Sequence, residues 1–263
     1  MDVSKEINNI LRKLYETLEK FYPEDNEINY EKYLEKSLLI NLLNNQQGNL
    51  NLLIEVKRFN VIYVSGNVLD FTGYQIEEFG HDVVATFMEL LDHKHISFLN
   101  VLAGWAINIL KNLPLSYKSK QQISIWGLKV FHKSGKGRRW YLNVMPLEFD
   151  KTSNPTLILL TIQNITHLIK GEDYWIRGVF GDTEKKIFVY HANEEKSVAN
   201  EIISEREKEV LDHISQGLDT KHIASLMNIS ANTVNNHRRN MLSRTGTRDT
   251  TALIQLCKMM GVV

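Results

Sequence analysis

The chain has 263 residues, enough for two domains, and the composition of an ordinary globular protein. Its formal net charge is +0, so the overall charge does not indicate a nucleic-acid partner. Its single cysteine, Cys257, excludes an intrachain disulfide framework, and we expect a small buried hydrophobe there. The early acids Asp2 and Glu6 do not fit a signal peptide, and the longest apolar run, 98–110, is too short to span a membrane. We therefore expect a cytoplasmic protein without a membrane partner.

The N-terminal region, residues 1–48, predicts two helices. Apolar residues recur at three- and four-residue steps over 4–21, and a second helical pattern runs over 30–43 after a polar break. The apolar stripes must be covered either by the next domain or by another chain, and both alternatives are open. If another chain covers them, Leu11, Leu14 and Leu18 are candidate dimer contacts.

Residues 49–167 predict two strands, several helices and three more strands. The strands are expected at 52–57, 61–64, 122–132, 139–149 and 156–165, with short helices at 67–71, 76–79 and 87–91 and a long apolar helix at 96–111. The sequence of 62–74, and the Asn-Ile-Thr of 164–166, resemble a PAS domain, with Asn where that family has Asp. The resemblance implies a sensor or dimerisation domain, in which an antiparallel sheet is flanked by helices.

A pocket between the sheet and the long helix is also implied by the PAS resemblance, although a fold does not name a ligand. Trp105 lies in the long helix, and Trp126 and Trp140 lie in the strands. We predict that at least one of them lines a cavity for an unknown apolar or aromatic small molecule; a fully packed core is the alternative. No cofactor is predicted, because the long helix has no histidine for haem and the sensor region has no cysteine for flavin. His93 and His95 are expected to be solvated or capping residues.

Residues 168–200 predict an aromatic hairpin and a linker. Strands at 174–180 and 187–191 flank a Gly-Asp-Thr turn, and the polar stretch 193–200 reads as the linker. We expect the hairpin to pack against the sensor domain. A contact surface that changes with the signal is the alternative.

Residues 201–263 predict an all-helical domain. Ser204 and Glu207 form the pattern of a capping box, and Gly217 ends the helix that this box begins. Asp219 is the candidate N-cap of a short helix at 221–227, and the turn that follows leads to Ser230, a candidate N-cap for the next helix. A short helix, a tight turn and a polar second helix make a helix-turn-helix.

The second helix of this motif, residues 230–244, has two dissimilar sides. One side is apolar, and the other carries amides and guanidinium groups without an acid. Such groups read base edges in a major groove, because Asn pairs with adenine and Arg with guanine. After residue 219 the only acid is Asp249, so the domain has a basic face suited to phosphate. An ordinary amphipathic surface helix is the alternative reading.

The segment 204–263 resembles the LuxR-type (NarL/FixJ-type) helix-turn-helix domain. The matching residues are Ser204 to Leu211, Gly217, Ile223-Ala224, Ser230, Thr233-Val234, His237 and Gly246. The resemblance implies four helices, with the third in the major groove and the fourth commonly a dimer contact. Arg238 and Thr245 depart from it, since they stand where the family usually has apolar residues; the Arg238 stem can lie on the core and its head reach phosphate.

Candidate DNA-binding residues follow from the polar face, its flanks and the helix starts. They are Lys221, Ser230, Asn232, Thr233, Asn235, Asn236, His237, Arg238, Arg239 and Arg244. The apolar side was assigned to Ala231, Val234, Met241 and Leu242. In the final helix, Leu253, Leu256 and Cys257 are the candidate dimer contacts.

The expected fold is α+β, a PAS domain followed by a four-helix helix-turn-helix domain. We expect a homodimeric transcriptional regulator that binds double-stranded operator DNA and senses a signal that controls dimer geometry. The alternative is a PAS domain that serves as a protein-interaction or dimerisation module without a small-molecule ligand. We expect no enzyme, because no catalytic motif is present in the sequence.

Overall fold

The structure is a computed structural model that describes residues 3–22, 40, 42–43, 48–65, 67–79, 83–118 and 120–262. Within these residues an antiparallel sheet carries helices on one face and a helical C-terminal domain on the other. This confirms the mixed α+β class. The helix expected at 30–43 lies outside the described residues, except that Ile40, Leu42 and Leu43 are helical.

The described elements follow the expected order. The helices are α1 (Val3–Phe21), α2 (Val68–Thr72), α3 (Ile76–Phe79), α4 (Val83–Leu90), α5 (Phe98–Asn112), α6 (Leu115–Lys118), α7 (Glu205–Ser215), α8 (Thr220–Leu226), α9 (Ala231–Thr245) and α10 (Thr250–Met260). The strands are β1 (Asn49–Glu55), β2 (Asn60–Val64), β3 (Gln121–Phe131), β4 (Gly137–Phe149), β5 (Pro155–Asn164), β6 (Trp175–Phe180), β7 (Lys186–His191) and β8 (Lys196–Val198).

The strands of the described residues form one sheet in the order β2-β1-β5-β4-β3-β6-β7-β8. The aromatic hairpin is therefore part of the sheet, because β6 pairs along its whole length with β3. The stretch 193–200 was expected to be an irregular linker, but Lys196–Val198 pairs with β7 and forms the edge strand. Backbone pairing thus extends the sheet from β1 up to β8, just before the helical domain begins.

Helix α1 packs against α5 of its own chain. Its candidate dimer contacts Leu11, Leu14 and Leu18 are 6%, 2% and 5% exposed, so they are core residues and their surface is not free for a second chain. The Asn100 side-chain amide donates to the Ile10 carbonyl at 3.2 Å, which fixes the helix on α5. Between the two open alternatives, the structure favours docking on the next domain.

A bulge in β3 keeps its apolar side chains on the correct faces. Ile125 faces the helices and Trp126 faces the C-terminal domain, as alternation requires. The register then shifts at Gly127, whose φ is +81°, and Leu128 points back toward the helices. Glycine is strongly favoured at a strand position that takes this left-handed conformation. The bulge therefore keeps Leu128 in the core on the helix side, and the sheet separates this core from the one on its other face.

At least one of Trp105, Trp126 and Trp140 was predicted to line a cavity, but none of them is in the lining of the two apolar cavities beside the sheet. A cavity of about 120 Å³ lies between α1, α5 and the inner face of the sheet, and an adjoining cavity of about 60 Å³ lies between α4, α5 and the same face. Trp140 is fully buried against Phe71, Trp105 donates its Nε1–H to Ser197 at 3.0 Å, and Trp126 is on the opposite face.

Candidate nucleic-acid interface

The C-terminal domain begins with the expected capping box. The Ser204 side chain accepts from the backbone N–H of Glu207, and the Glu207 carboxylate accepts from the Ser204 N–H at 3.0 Å. These bonds satisfy donors that the start of α7 would otherwise leave unpaired. Gly217 follows the helix with a φ of +84°, as expected for the residue that ends it.

The turn between α8 and α9 is also built as expected. Asp219 caps α8 by accepting from the N–H groups of Lys221 and His222, both at 2.9 Å. Asn228 takes a left-handed φ of 53°, and Ser230 caps α9 by accepting from the Thr233 N–H at 3.0 Å. These local contacts fix the angle at which α9 leaves α8 and confirm the helix-turn-helix geometry.

Helix α9 presents its polar side to solvent. Val234 and Met241 are fully buried in the domain core, and Leu242 is half-buried. The side chains of Asn232, Asn235, Asn236 and Arg239 are exposed, and Thr233 and His237 are half-buried on the flank. The assignment of Ala231 to the apolar side was wrong, because this residue is exposed at the first turn. Contact between the exposed side chains and base edges stays a prediction.

Arg238 uses its guanidinium within the domain. Its Nη2 donates to Thr250 Oγ1 at 3.0 Å and its Nη1 lies 3.5 Å from Thr220 Oγ1. Arg238 therefore links α9 to the starts of α8 and α10, which explains why a charged residue is tolerated at a position where the family usually has an apolar one. Lys221, by contrast, is exposed at the start of α8.

Arg244 has a structural contact that the sequence did not suggest. Its guanidinium forms an ion pair with the buried Glu207 carboxylate and donates to the Ile202 carbonyl at 3.1 Å. Burial of Glu207 opposes ionisation, but the bonds from Arg244 and Ser204 outweigh it and hold the pKa of Glu207 below its ordinary value. These contacts join α9 to α7, while 39% of the Arg244 side chain stays exposed, so the predicted contact of Arg244 with phosphate is not tested by them.

The final helix turns its candidate dimer contacts inward. Leu253, Leu256 and Cys257 are 0% exposed, because they complete the core of this small domain. Burial raises the pKa of the Cys257 thiol to about 12, as expected for an inert apolar side chain. These three residues therefore are not available as dimer contacts, and the prediction of a small buried hydrophobe at position 257 is confirmed.

Thr245, the second departure from the family pattern, is buried but fully bonded. Its Oγ1 donates to the Met241 carbonyl and lies 2.8 Å from the Thr247 hydroxyl. Its own carbonyl accepts from the Trp175 Nε1–H at 3.3 Å. The polar residue at the end of α9 thus connects this helix to strand β6 of the sheet.

Further contacts attach the helical domain to the sheet beside Thr245. The N–H groups of Lys170 and Gly171 donate to the Gly246 carbonyl at 2.8 and 2.9 Å, and the Arg248 N–H donates to Leu168. The backbones of Gly171 and Gly246 lie so close together that a Cβ on Gly171 would be 3.0 Å from the Gly246 Cα. This close approach is possible because Gly171 has no Cβ. The sequence analysis did not predict this junction. The aromatic residues of 174–190 were the local pattern that pointed to a contact surface there.

A buried ion pair completes the junction. Arg177 on β6 and Glu201 just before α7 are each 10% exposed, with Nη2 and Oε2 2.6 Å apart. The Nε–H of Arg177 also donates to Oε1 at 2.9 Å, giving a two-pronged contact. Beside it, the rings of Trp126 and Trp175 stack at 5.3 Å between centroids.

Comparison with known proteins places the C-terminal segment in a family. Residues 201–257 match the profile of "bacterial regulatory proteins, luxR family". The segment is a LuxR-type helix-turn-helix domain. It is 45% identical over 51 residues to the nitrate/nitrite response regulator protein NarP of Escherichia coli K12, a match that spans 19% of this chain and 24% of the length of NarP. The LuxR family is a class of regulators and not of enzymes.

Whole-chain likenesses to solved structures are weak. The phage VqmA–DPO complex is 15% identical with a TM-score of 0.31, covering 85% of this chain and 88% of that one. SdiA of Escherichia coli is 14% identical with a TM-score of 0.27, covering 94% and 97%.

The remaining sequence expectations concern metal and membrane. His93 is exposed, as expected, but the expectation of a solvated or capping residue was wrong for His95, which is buried and whose Nδ1 accepts from the Lys129 N–H at 3.0 Å. Burial lowers the pKa of His95. Within the described ranges, no group of His, Cys, Asp and Glu side chains is arranged to hold a metal ion. Among the same residues, no helix has the length and hydropathy needed to cross a membrane.

Proposed function

We propose that this chain is a sequence-specific transcriptional regulator in which a PAS sensor domain controls the LuxR-type helix-turn-helix domain. The observation that carries the proposal is the exposed, acid-free face of α9 formed by Asn232, Asn235, Asn236 and Arg239. These side chains lie on a helix whose other side is held in a domain core, so they can enter a major groove together. Lys221 and His237 flank the face and supply contacts to phosphate.

The test is selection of bound duplexes from a random-sequence library by the full chain. The proposal expects one enriched motif. Arg239→Ala should then weaken binding to that motif by about 1–3 kcal/mol and flatten the preference at one or two base pairs. Gln255→Ala, at an exposed position of α10, is the matched control and should leave the preference unchanged. Equal weakening of Arg239→Ala on the motif and on random DNA would contradict base reading.

The PAS assignment is supported by the strand and helix order of residues 49–167 and by the apolar cavities on the inner face of the sheet. The regulatory part of the proposal is supported by the junction at Thr245, Gly246 and Trp175, because a shift of β6 acts on the end of α9 directly.

Binding as a homodimer belongs to the same proposal. One recognition helix contacts few base pairs, and helix-turn-helix proteins commonly pair on half-sites about one helical turn apart. The apolar residues first expected to pair are covered within the chain, so the pairing surface lies on other residues. Sedimentation of the full chain on its selected duplex should give two chains per duplex; one chain per duplex would contradict this part.

A further inference from the structure

We propose that Arg177 and Glu201 are positioning residues, whose ion pair fixes the orientation of the recognition helix α9 relative to the sheet. The inference rests on the proposed function, in which α9 reads base edges, and it names the residues that hold α9 at one angle. Two separate attachments carry it, one at Arg244 in the last turn of α9 and one at Gly246 beyond its end.

The first attachment is a continuous series of hydrogen bonds, called here the clasp. Arg177 of β6 binds both carboxylate oxygens of Glu201, with Nη2 and Oε2 2.6 Å apart and Nε and Oε1 2.9 Å apart. Oε1 also accepts from the Ile202 N–H at 2.9 Å. The Ile202 carbonyl in turn accepts from the Nε–H of Arg244 at 3.1 Å. The clasp therefore runs from an inner strand of the sheet to the last turn of α9.

The second attachment is a short antiparallel ladder that follows α9. Lys170 and Gly171 donate their N–H groups to the Gly246 carbonyl, and Arg248 donates its N–H to the Leu168 carbonyl at 2.8 Å. These bonds join backbone groups, so they do not depend on the side chains of the clasp. One attachment leaves a domain free to turn about it, whereas two attachments at different points oppose that rotation. Loss of the clasp should therefore leave the helical domain docked through the ladder but less strictly oriented.

Apolar packing supplies much of the remaining contact between the sheet and the helical domain. Trp126, Trp175 and Ile203 belong to one core, and the attraction between apolar groups has no preferred direction. The two-pronged contact of Arg177 with Glu201 is satisfied at one geometry. Both side chains are 10% exposed, so water can replace few of the bonds that a rotation would break. Buried ion pairs in some proteins contribute to conformational specificity more than to stability, and the clasp has the geometry for that role.

The consequence for DNA reading concerns the spacing of half-sites. In the proposed homodimer, two recognition helices that are each held at one angle match one separation of the half-sites. One extra base pair between the half-sites turns one of them by about 34° and moves it by about 3.4 Å, so it no longer meets its helix. Arg177 and Glu201 then determine the preferred spacing, although neither touches a base.

The double variant Arg177→Met/Glu201→Met removes the clasp without leaving a buried charge, so it should stay folded. Two spin labels measure its effect without DNA, one on Gln122→Cys in β3 and one on Gln255→Cys in α10, both at exposed positions. Cys257 is 0% exposed and stays unlabelled. Labelled full chain is diluted into unlabelled chain, so that distances between chains do not contribute. Pulsed electron paramagnetic resonance should give one narrow distance for the natural sequence and a broader distribution for the double variant.

Arg177→Lys is the second variant, because it keeps the charges paired and removes the two-pronged geometry. It should also broaden the distribution, and it decides the question if circular dichroism shows that the double variant is unfolded. Asp182→Asn, which breaks the exposed ion pair with Lys120, is the matched control and should keep the distribution narrow. A broad distribution for the natural sequence would overturn the proposal, and so would a narrow one for the variant that decides.

The second measurement uses the duplex motif selected by the natural chain. One base pair inserted between the half-sites should weaken binding of the natural chain by at least about tenfold, since it displaces the base contacts of one helix. The variant without the clasp should lose less than about threefold on the same insertion. Equal losses for the two chains would overturn the role in spacing and leave DNA reading intact. If no motif is enriched while the label distances behave as expected, the proposed function fails and the orientation of α9 by the clasp stands.

Discussion

The ion pair between Arg177 and Glu201 should be one of the strongest single contributions to the junction between the sheet and the helical domain. Each side chain is 10% exposed, and two short N–O contacts join them. Removing one partner leaves the other charge buried without compensation, which typically costs about 3–5 kcal/mol. Arg177→Met and Glu201→Met should each lower the free energy of unfolding by this amount.

The double variant should cost far less than the sum of the two, since no buried charge remains and two apolar side chains pack in its place. We expect a coupling energy of at least about 2 kcal/mol. Urea denaturation of the full chain measures it, with tryptophan fluorescence reporting on the stacked Trp126 and Trp175 and circular dichroism reporting on helices.

The matched control is the ion pair of Lys120 and Asp182, whose side chains are 69% and 70% exposed. Asp182→Asn should leave the free energy of unfolding nearly unchanged, because water screens exposed ion pairs. Single variants of Arg177 and Glu201 whose effects add to the double within about 0.5 kcal/mol would refute the argument, since additivity means no interaction.

Three further predictions concern the helical domain and its junction. Lys221→Ala should weaken binding to all duplexes alike and lower the slope of log affinity against log salt by about one. Arg244→Ala should leave that slope unchanged and lower the thermal midpoint, because Arg244 pairs with Glu207. A lowered slope for Arg244→Ala would instead support a contact with phosphate. The pKa of Glu207 is lowered in the folded state, so its contribution to stability is present above its ordinary pKa of 4.5 and is lost as the pH falls below that value. Between about pH 6 and about pH 4, chemical denaturation should therefore show a smaller loss of unfolding free energy for Glu207→Gln than for the natural sequence. An equal loss would contradict this. Gly171→Ala places a Cβ 3.0 Å from the Gly246 Cα and should shift the tryptophan emission. Gly104→Ala is the control and should not shift it, because a Cβ there meets nothing within 4 Å. Identical spectra for both variants would show that the junction tolerates the methyl group.

Sequence reasoning succeeded in the helical domain because its signals are local. The capping box of Ser204 and Glu207, the cap at Asp219, the left-handed Asn228 and the cap at Ser230 are each set by residues within a few positions of one another. Contacts of this range can be read from spacing.

What failed depends on residues far apart in sequence. Arg244 looks free on a helical wheel, but its partner Glu207 lies 37 positions away. The three tryptophans look like pocket residues, but which face Trp126 takes depends on strand pairing, and the register of β3 shifts at Gly127. The stripe on α1 was correctly read as apolar, but no pattern within the helix says which surface covers it. The periodicity of apolar residues shows which face of a helix or strand is buried, but it does not show which other element covers that face.

The apolar cavities and the junction to the helical domain lie on opposite sides of the same strand, β3. Ile123 and Ile125 of β3 line the two cavities, and Trp126, the next residue, stacks on Trp175. Trp175 in turn donates to the carbonyl of Thr245, the last residue of α9. Because side chains alternate across a strand, a ligand that displaces the inner residues of β3 acts on a backbone that also carries the contact to α9. The sheet needs no separate linker to transmit such a shift, since β6 is hydrogen-bonded to β3 from Gln121 to Trp126. The cavities and the end of α9 are therefore joined through the paired backbone of the sheet and the stacked Trp126 and Trp175. Regulation along this path requires that a ligand in the cavities binds with different affinity to two positions of β3.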